Sequence, residues 1–276
     1  MKIDLKSAIL KTVCAVITVS LLAVGVGAAP RVPRVVTDRK EYTGTVRLIN
    51  GTAYVKLREF SERLGARVVW NAAASTAGVS TDGLSMSASA GAHYAVANGR
   101  YLWCNEKIFI DDGSTYVPLR VIGRAFGYDT NWDAGTFTAR LTRRTASIAS
   151  GSRFYDSDEV YWLSRIIQAE AGGEPILGKL AVGTVVLNRV KSPDFPNSVY
   201  GVIFDRAGGV QFTPIANGTV YNAPSTESVA AAKLCLEGTS VSDKVLFFLN
   251  TDISESFWIV GNREYVMSVG NHDFYA

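Results

Sequence analysis

Two stretches of this chain, 54–72 and 116–134, are copies of one unit, and nothing else in the sequence narrows the fold as far. Tyr54-Val55 and Leu57-Arg58 recur as Tyr116-Val117 and Leu119-Arg120, and the register holds through Gly65 and Gly127, Trp70 and Trp132, and Ala72 and Ala134. Seven identities at one offset of 62 residues mark a duplicated structural unit. In each copy a β-branched run ends at Leu-Arg, about two helical turns follow, and a glycine suited to a helix C-cap precedes a strand that carries the Trp. Asn50-Gly51 and Asn98-Gly99 are type I′ hairpin signals flanked by short strands. The spacing predicts strand, short helix, strand twice over, with Trp70 and Trp132 packing the helix onto the sheet, or else serving as platforms for sugar rings.

This pattern resembles the copper amine oxidase N-terminal-like domain, a small α+β module, over residues 31–142. The resemblance implies a non-catalytic role. His93 is the lone histidine of the region, and one imidazole cannot hold a metal. Residues 143–155, rich in Ser, Thr, Ala and Gly, read as a linker to a second domain at 156–276.

The chain has 276 residues, of which 47% are hydrophobic and 19% charged, enough for two packed cores. Its first residues read as an export signal: Lys2, Lys6 and Lys11 precede an uncharged run over 12–29, with small residues before a cleavage point after Ala28. A membrane tether is expected only if that segment, 1–28, stays uncleaved. Cys14 lies inside it, so Cys104 and Cys235 alone remain in the mature chain, and a disulfide framework is excluded. The net charge of +3 conceals an asymmetry, because residues 30–154 carry 17 Lys and Arg against 10 Asp and Glu while residues 155–276 carry 8 against 14. A basic module suits an anionic wall polymer. A secreted monomer without a nucleic-acid partner is expected.

The chemistry concentrates at Ala169-Glu170-Ala171-Gly172-Gly173-Glu174. Asp156, with Glu159 three residues on, suits a helix N-cap, and an apolar stripe of Val160, Leu163, Ile166 and Ile167 leads to Glu170 on the same face. A carboxyl group on a core-facing surface has a raised pKa, because burial disfavours its ionised form, and so can deliver a proton near neutrality. Gly172-Gly173 ends the helix, Pro175 opens the next, and Glu174 is expected to cap it.

Residues 156–276 resemble the SleB/CwlJ-type cell wall hydrolases, known for spore cortex lysis. The motifs are the segment just described, Ala181-Val182-Gly183-Thr184-Val185-Val186-Leu187-Asn188-Arg189-Val190, Phe195-Pro196-Asn197, Gly201-Val202-Ile203, Gln211-Phe212, Ala216-Asn217-Gly218 and Gly270-Asn271-His272-Asp273-Phe274-Tyr275. Gly172 stands where that family often has Arg, and Phe247-Phe248-Leu249-Asn250 lacks a following Pro. The resemblance implies cleavage of peptidoglycan glycan strands on a lysozyme-like, mainly helical α+β fold, with Glu170 as catalytic acid, no metal or organic cofactor, peptidoglycan as the partner, and a place at the cell wall or spore envelope. Its best understood members resemble lytic transglycosylases, which use one carboxyl group twice and leave 1,6-anhydro-muramic ends. A true hydrolase requires a second carboxylate, for which Asp194, Asp205 and Asp252 are available. Glu174, Asn188, Gln211, Phe212, Asn217, Tyr221 and His272 are the candidates for substrate binding, with Trp258 and Tyr275 as further stacking surfaces.

Two histidines in the whole chain argue against a zinc amidase. A Cys-His peptidase built on Cys235 and His272 remains open, although an Ala-rich helical run over 228–237 makes Cys235 a core residue first. A non-enzymatic wall-binding protein is the third class.

Overall fold

The computed structural model describes residues 32–38, 40–207, 211–250 and 258–276. The expected export signal and Asp252 lie outside them. Among the described residues no helix is long and apolar enough to cross a membrane.

The duplication is visible as order of elements. Strands β1 (Arg34–Thr37) and β2 (Lys40–Tyr42) come first. The first copy follows as β3 (Val46–Ile49), β4 (Thr52–Lys56), α1 (Leu57–Arg63), β5 (Arg67–Asn71) and β6 (Thr76–Thr81), continued by β7 (Leu84–Ser89), β8 (Tyr94–Ala97) and β9 (Arg100–Trp103). The second copy is β10 (Phe109–Asp111), β11 (Ser114–Pro118), α2 (Leu119–Ala125), β12 (Tyr128–Asp133) and β13 (Thr138–Arg143). The copies meet in the sheet β10-β11-β4-β3, where Val55 lies opposite Val117, its own equivalent. A pseudo-two-fold axis therefore passes through that pair. Two further sheets, β5-β6-β7-β8-β9 and β12-β13-β1-β2, extend the copies.

Backbone geometry repeats at the same offset. Asn50 and Asp112 take φ of 47° and 48°, Ser75 and Phe137 take 46° and 53°, and Gly65 and Gly127 end the two helices at 82° and 75°. Glycine suits those last positions because the left-handed region carries no Cβ penalty there. Leu57 and Phe60 of α1 and Leu119 and Ile122 of α2 fill the core. Trp70 and Trp132 do not, being 39% and 41% exposed. The expectation that they pack helix onto sheet is corrected: β5 and β12 lie at sheet edges and turn the Trp face outward, while the helices bury their own apolar residues.

Residues 143–155, read as a linker, are tied down on the way. Asn98 Nδ2 donates to the Ile148 carbonyl (2.9 Å), the Gly151 amide donates to the Asn98 carbonyl (2.7 Å), and Tyr155 donates to Glu237 (2.7 Å). The one-turn helix α3 (Gly151–Phe154) sits between these anchors.

The remainder is mainly helical: α4 (Ser157–Ala171), α5 (Ile176–Lys191), α6 (Val199–Ile203), α7 (Thr213–Asn217), a 3-10 turn (Thr219–Tyr221) and α8 (Thr226–Leu236). Strand β14 (Phe247–Leu249), helix α9 (Trp258–Asn262) and strands β15 (Tyr265–Val269) and β16 (His272–Tyr275) close the chain, with sheet order β14-β16-β15. Leu163, Ile166 and Ile167 of α4 pack against Leu180, Val182 and Val186 of α5 and Ala231 and Leu234 of α8. Small residues let α5 and α8 approach, since a Cβ on Gly183 would stand 2.7 Å from Cys235 Sγ. The fold class is α+β, a β-rich duplicated module followed by a mainly helical domain.

Candidate functional site

Helix α4 positions the acid. Asp156 caps it, accepting from the Asp158 and Glu159 amides at 2.8 and 3.1 Å. Three fully buried stripe residues then fix the helix's rotation and bring Glu170 to the rim of the core one residue before it ends. Burial raises the Glu170 carboxyl to about 7. Arg165 lies over the Tyr161 ring, and Arg189 donates to the Leu246 carbonyl (2.7 Å), so neither offers the pairing that would hold the acid ionised.

Glu170 opens into a cleft of about 430 Å³ with Gln168, Thr213, Pro214, Asn217, Thr219 and Asn222 in its walls. Pro214 in the first turn of α7 starts that helix and Gly218, at φ 78°, ends it. This short turn presents Asn217 to the cleft, where its Oδ1 accepts from the Thr219 amide (3.0 Å) and hydroxyl (2.7 Å). The Oδ1 is thereby committed, and the side-chain amide donors are left for a ligand. Tyr221, 59% exposed, ends the 3-10 turn between the lining residues Thr219 and Asn222 but is not itself in the wall, and its ring lies 6.1 Å from Trp162. Gln168 holds the opposite wall in place by accepting from the Ser225 amide and Ser228 hydroxyl, both at 2.9 Å. Gln168, Thr213, Thr219 and Asn222 were not singled out from sequence, because isolated polar residues near turns carry no periodic signal. The one hint was Gln168, two positions before Glu170 on the same helix.

The other candidates lie elsewhere. Phe212, 1% exposed, belongs to the core, and Tyr275 is buried too, so neither offers a sugar a free face. Asn188 is buried and donates from Nδ2 to the Ser242 and Val245 carbonyls, both at 3.0 Å, so its amide holds a loop instead of a substrate. Both expectations are corrected by the same cause: helix α5 and the start of α7 face inward. Gln211 lines a separate cleft with Asp194, Trp258 and Arg263.

Glu174 does not cap α5; Pro175 holds the N-cap position. Its carboxylate accepts from Asn271 Nδ2 (2.8 Å) and the Asn271 amide (3.4 Å), with His272 Nδ1 at 3.8 Å. Burial lowers the His272 pKa, against the pull of Glu174 and Asp273. Gly270, at φ 61°, is required at this turn, since any Cβ there would collide with the Glu174 carboxylate. Lys179, itself buried, bonds the Glu174 carbonyl and pairs with Glu227 at 2.8 Å.

Of the acids the sequence offered, Glu170 is the one that lines its cleft, while Asp194 lines the other and Asp205 accepts from the Ala207 amide (2.9 Å). Cys235 is buried in the α5–α8 contact, its thiol bonded to the Leu180 carbonyl (3.6 Å) and pushed up to about 12 by burial. No thiolate forms there near neutrality. His93 bonds the Cys104 carbonyl (3.2 Å) and stacks on Trp103.

A helical domain that aims a high-pKa carboxyl group into an open cleft, behind a duplicated β-rich module, has counterparts among known families. Residues 173–275 match the family model for Cell Wall Hydrolase, and residues 36–141 match that for Copper amine oxidase N-terminal domain. The chain carries a cell wall hydrolase domain behind a copper amine oxidase N-terminal-like domain.

Among curated proteins it is similar to the spore cortex-lytic enzyme of Bacillus subtilis, 34% identical over 136 residues that span 49% of this chain and 43% of that one. It is likewise similar to the spore cortex-lytic enzyme of Bacillus cereus, 34% identical over 120 residues, 44% of this chain and 45% of that one. The chain thus spans less than half the length of these curated relatives. The solved catalytic domain of the germination-specific lytic transglycosylase SleB from Bacillus anthracis aligns at 32% identity and a TM-score of 0.41, over 47% of this chain and 100% of that one. The family match opens at Gly173, three residues beyond Glu170, so the role of the acid rests on its geometry.

Proposed function

We propose that this protein is an exported lytic transglycosylase that cleaves the glycan strands of peptidoglycan, with spore cortex during germination as its setting. One observation carries the reading: among the described residues Glu170, with its carboxyl raised to about 7, is the single acid in the wall of its cleft. A hydrolase of retaining or inverting type requires two facing carboxyl groups, whereas a lyase requires one used twice. The Glu170 proton passes to the glycosidic oxygen as the bond from C1 of N-acetylmuramic acid breaks. The resulting carboxylate then takes the proton of the C6 hydroxyl as O6 closes on C1, which returns the acid to its starting state. No water enters the product. Burial supports both halves of the cycle, since a pKa near 7 keeps the proton available and leaves the carboxylate basic.

Asn217, in the cleft wall, and Tyr221, exposed a few residues on, are assigned to position the acetamido groups and sugar faces, and Glu174 and His272 to serve as scaffolding beneath the C-terminal hairpin. The cortex setting is supported by the names of the curated relatives. Export follows from the reading of residues 1–28, and the duplicated module over 31–142 is assigned to wall binding. Mass spectrometry of fragments released from purified peptidoglycan tests the proposal. Anhydro-muropeptides are expected; reducing muramic ends indicate a hydrolase, free stem peptides a peptidase, and no fragments a binding protein.

A further inference from the structure

The duplicated module carries two matching grooves. The first, about 340 Å³, is lined by Lys56, Leu57, Arg58, Val68, Trp70 and Ala77 together with residues 113–115 of the other copy. The second, about 420 Å³, is lined by Pro118, Leu119, Arg120, Thr130, Trp132 and Ala139 together with residues 51–53 of the first copy. Each of these positions has its equivalent in the other groove, as the pseudo-two-fold axis requires, although Glu59 and Glu62 also line the first and Trp103 and Val121 the second. The floor of each is the start of a helix, Leu57-Arg58 or Leu119-Arg120, and one wall is an exposed Trp.

That Trp is kept outward by a built turn. Asn71 Oδ1 accepts from the Ala74 amide as Asp133 Oδ1 accepts from the Thr136 amide, both at 3.1 Å. Thr76 Oγ1 and Thr138 Oγ1 then donate to the Ala74 and Thr136 carbonyls at 2.8 and 3.1 Å. A large indole is thus exposed in a concave site twice, at equivalent positions of the same scaffold.

We propose that these grooves are a pair of glycan-binding subsites that hold peptidoglycan strands while the helical domain cuts them. An indole face stacks on the apolar face of a pyranose ring, and Arg120, exposed at the floor of the second groove, suits the carboxylates that peptidoglycan bears, while Arg58 in the first is paired with Glu62 at 3.1 Å. The excess of 17 Lys and Arg over 10 Asp and Glu in residues 30–154 complements such a polyanion. Two sites on one module raise the effective concentration of an insoluble strand without either being tight alone. The choice of occupant rests on the proposed activity, and the two are tested apart.

The test is co-sedimentation of the full chain with purified peptidoglycan in a Glu170→Gln background, which uncouples binding from cutting. Trp70→Ala and Trp132→Ala should each weaken binding about fivefold, the double variant should weaken it more than either, and Trp→Phe at both positions should restore most of it. Soluble glycan fragments should release the bound protein, and turnover of those fragments by the active enzyme should be unchanged by the double Trp→Ala replacement. Sedimentation of the double variant like its parent overturns the proposal, as does release by salt but not by glycan, which leaves charge alone. Loss of soluble turnover together with binding also overturns it, by making the two Trp residues structural. Inactivity of the parent enzyme on soluble fragments counts instead against the proposed activity.

Discussion

Glu170 ties stability to pH in a direction opposite to most carboxylates. Folded, it holds its proton up to about pH 7, whereas unfolded it ionises near 4.5. Between those values the native state binds a proton that the unfolded chain has lost, so the contribution is full below pH 4.5 and disappears as pH rises through 7, at most about 3 kcal/mol. A Glu170→Gln protein should therefore melt above wild type at pH 8 and level with it at pH 4, as thermal unfolding by circular dichroism checks. Asn217→Ala should lower kcat/KM on soluble glycan about tenfold, by loss of one or two hydrogen bonds. Cys235→Ser should keep wild-type turnover, since its thiol lies in the core. At this scale the burial of Glu170 was legible, because an acid interrupting an apolar stripe is a local signal. Sequence reading misplaced Phe212, Asn188, Trp70 and Trp132 because which face of a short element turns inward is decided by partners remote in the chain.

Elements owe their ends to residues that local patterns announce. The cap at Asp156, the stop at Gly172-Gly173 and the duplicated turns were all legible, since each is a backbone requirement met by its own side chain. The contact that joins the α4–α5 corner to the last hairpin was not, because Glu174 finds Asn271 across 97 residues. Gly270→Ala at that corner combines a left-handed φ with a collision against Glu174 and should cost about 1–3 kcal/mol in urea denaturation. Asn271→Ala leaves a buried carboxylate short of its donors and should cost a comparable amount, about 1–3 kcal/mol.

For the whole molecule the telling group is Glu237, 1% exposed at its side chain, which accepts from Arg100, Arg124 and Tyr155. Composition predicted two cores with opposite net charge but not that a buried carboxylate from the acidic half would pair with arginines of the basic half. Glu237→Ala leaves Arg100 buried and unpaired, and should cost about 3–5 kcal/mol. Calorimetry should then resolve two transitions where the parent shows one. In the proposed function both halves serve a single act of bond cleavage, and that act depends on the Glu170 proton. Its most direct test is the rate of anhydro-muropeptide release from peptidoglycan, followed against pH for wild type and Glu170→Gln. The account predicts a wild-type rate that falls as pH rises past about 7 and a variant that folds fully yet is slower by about a thousandfold or more; a variant within about tenfold of wild type, on the same scale of general acid effects, would contradict it.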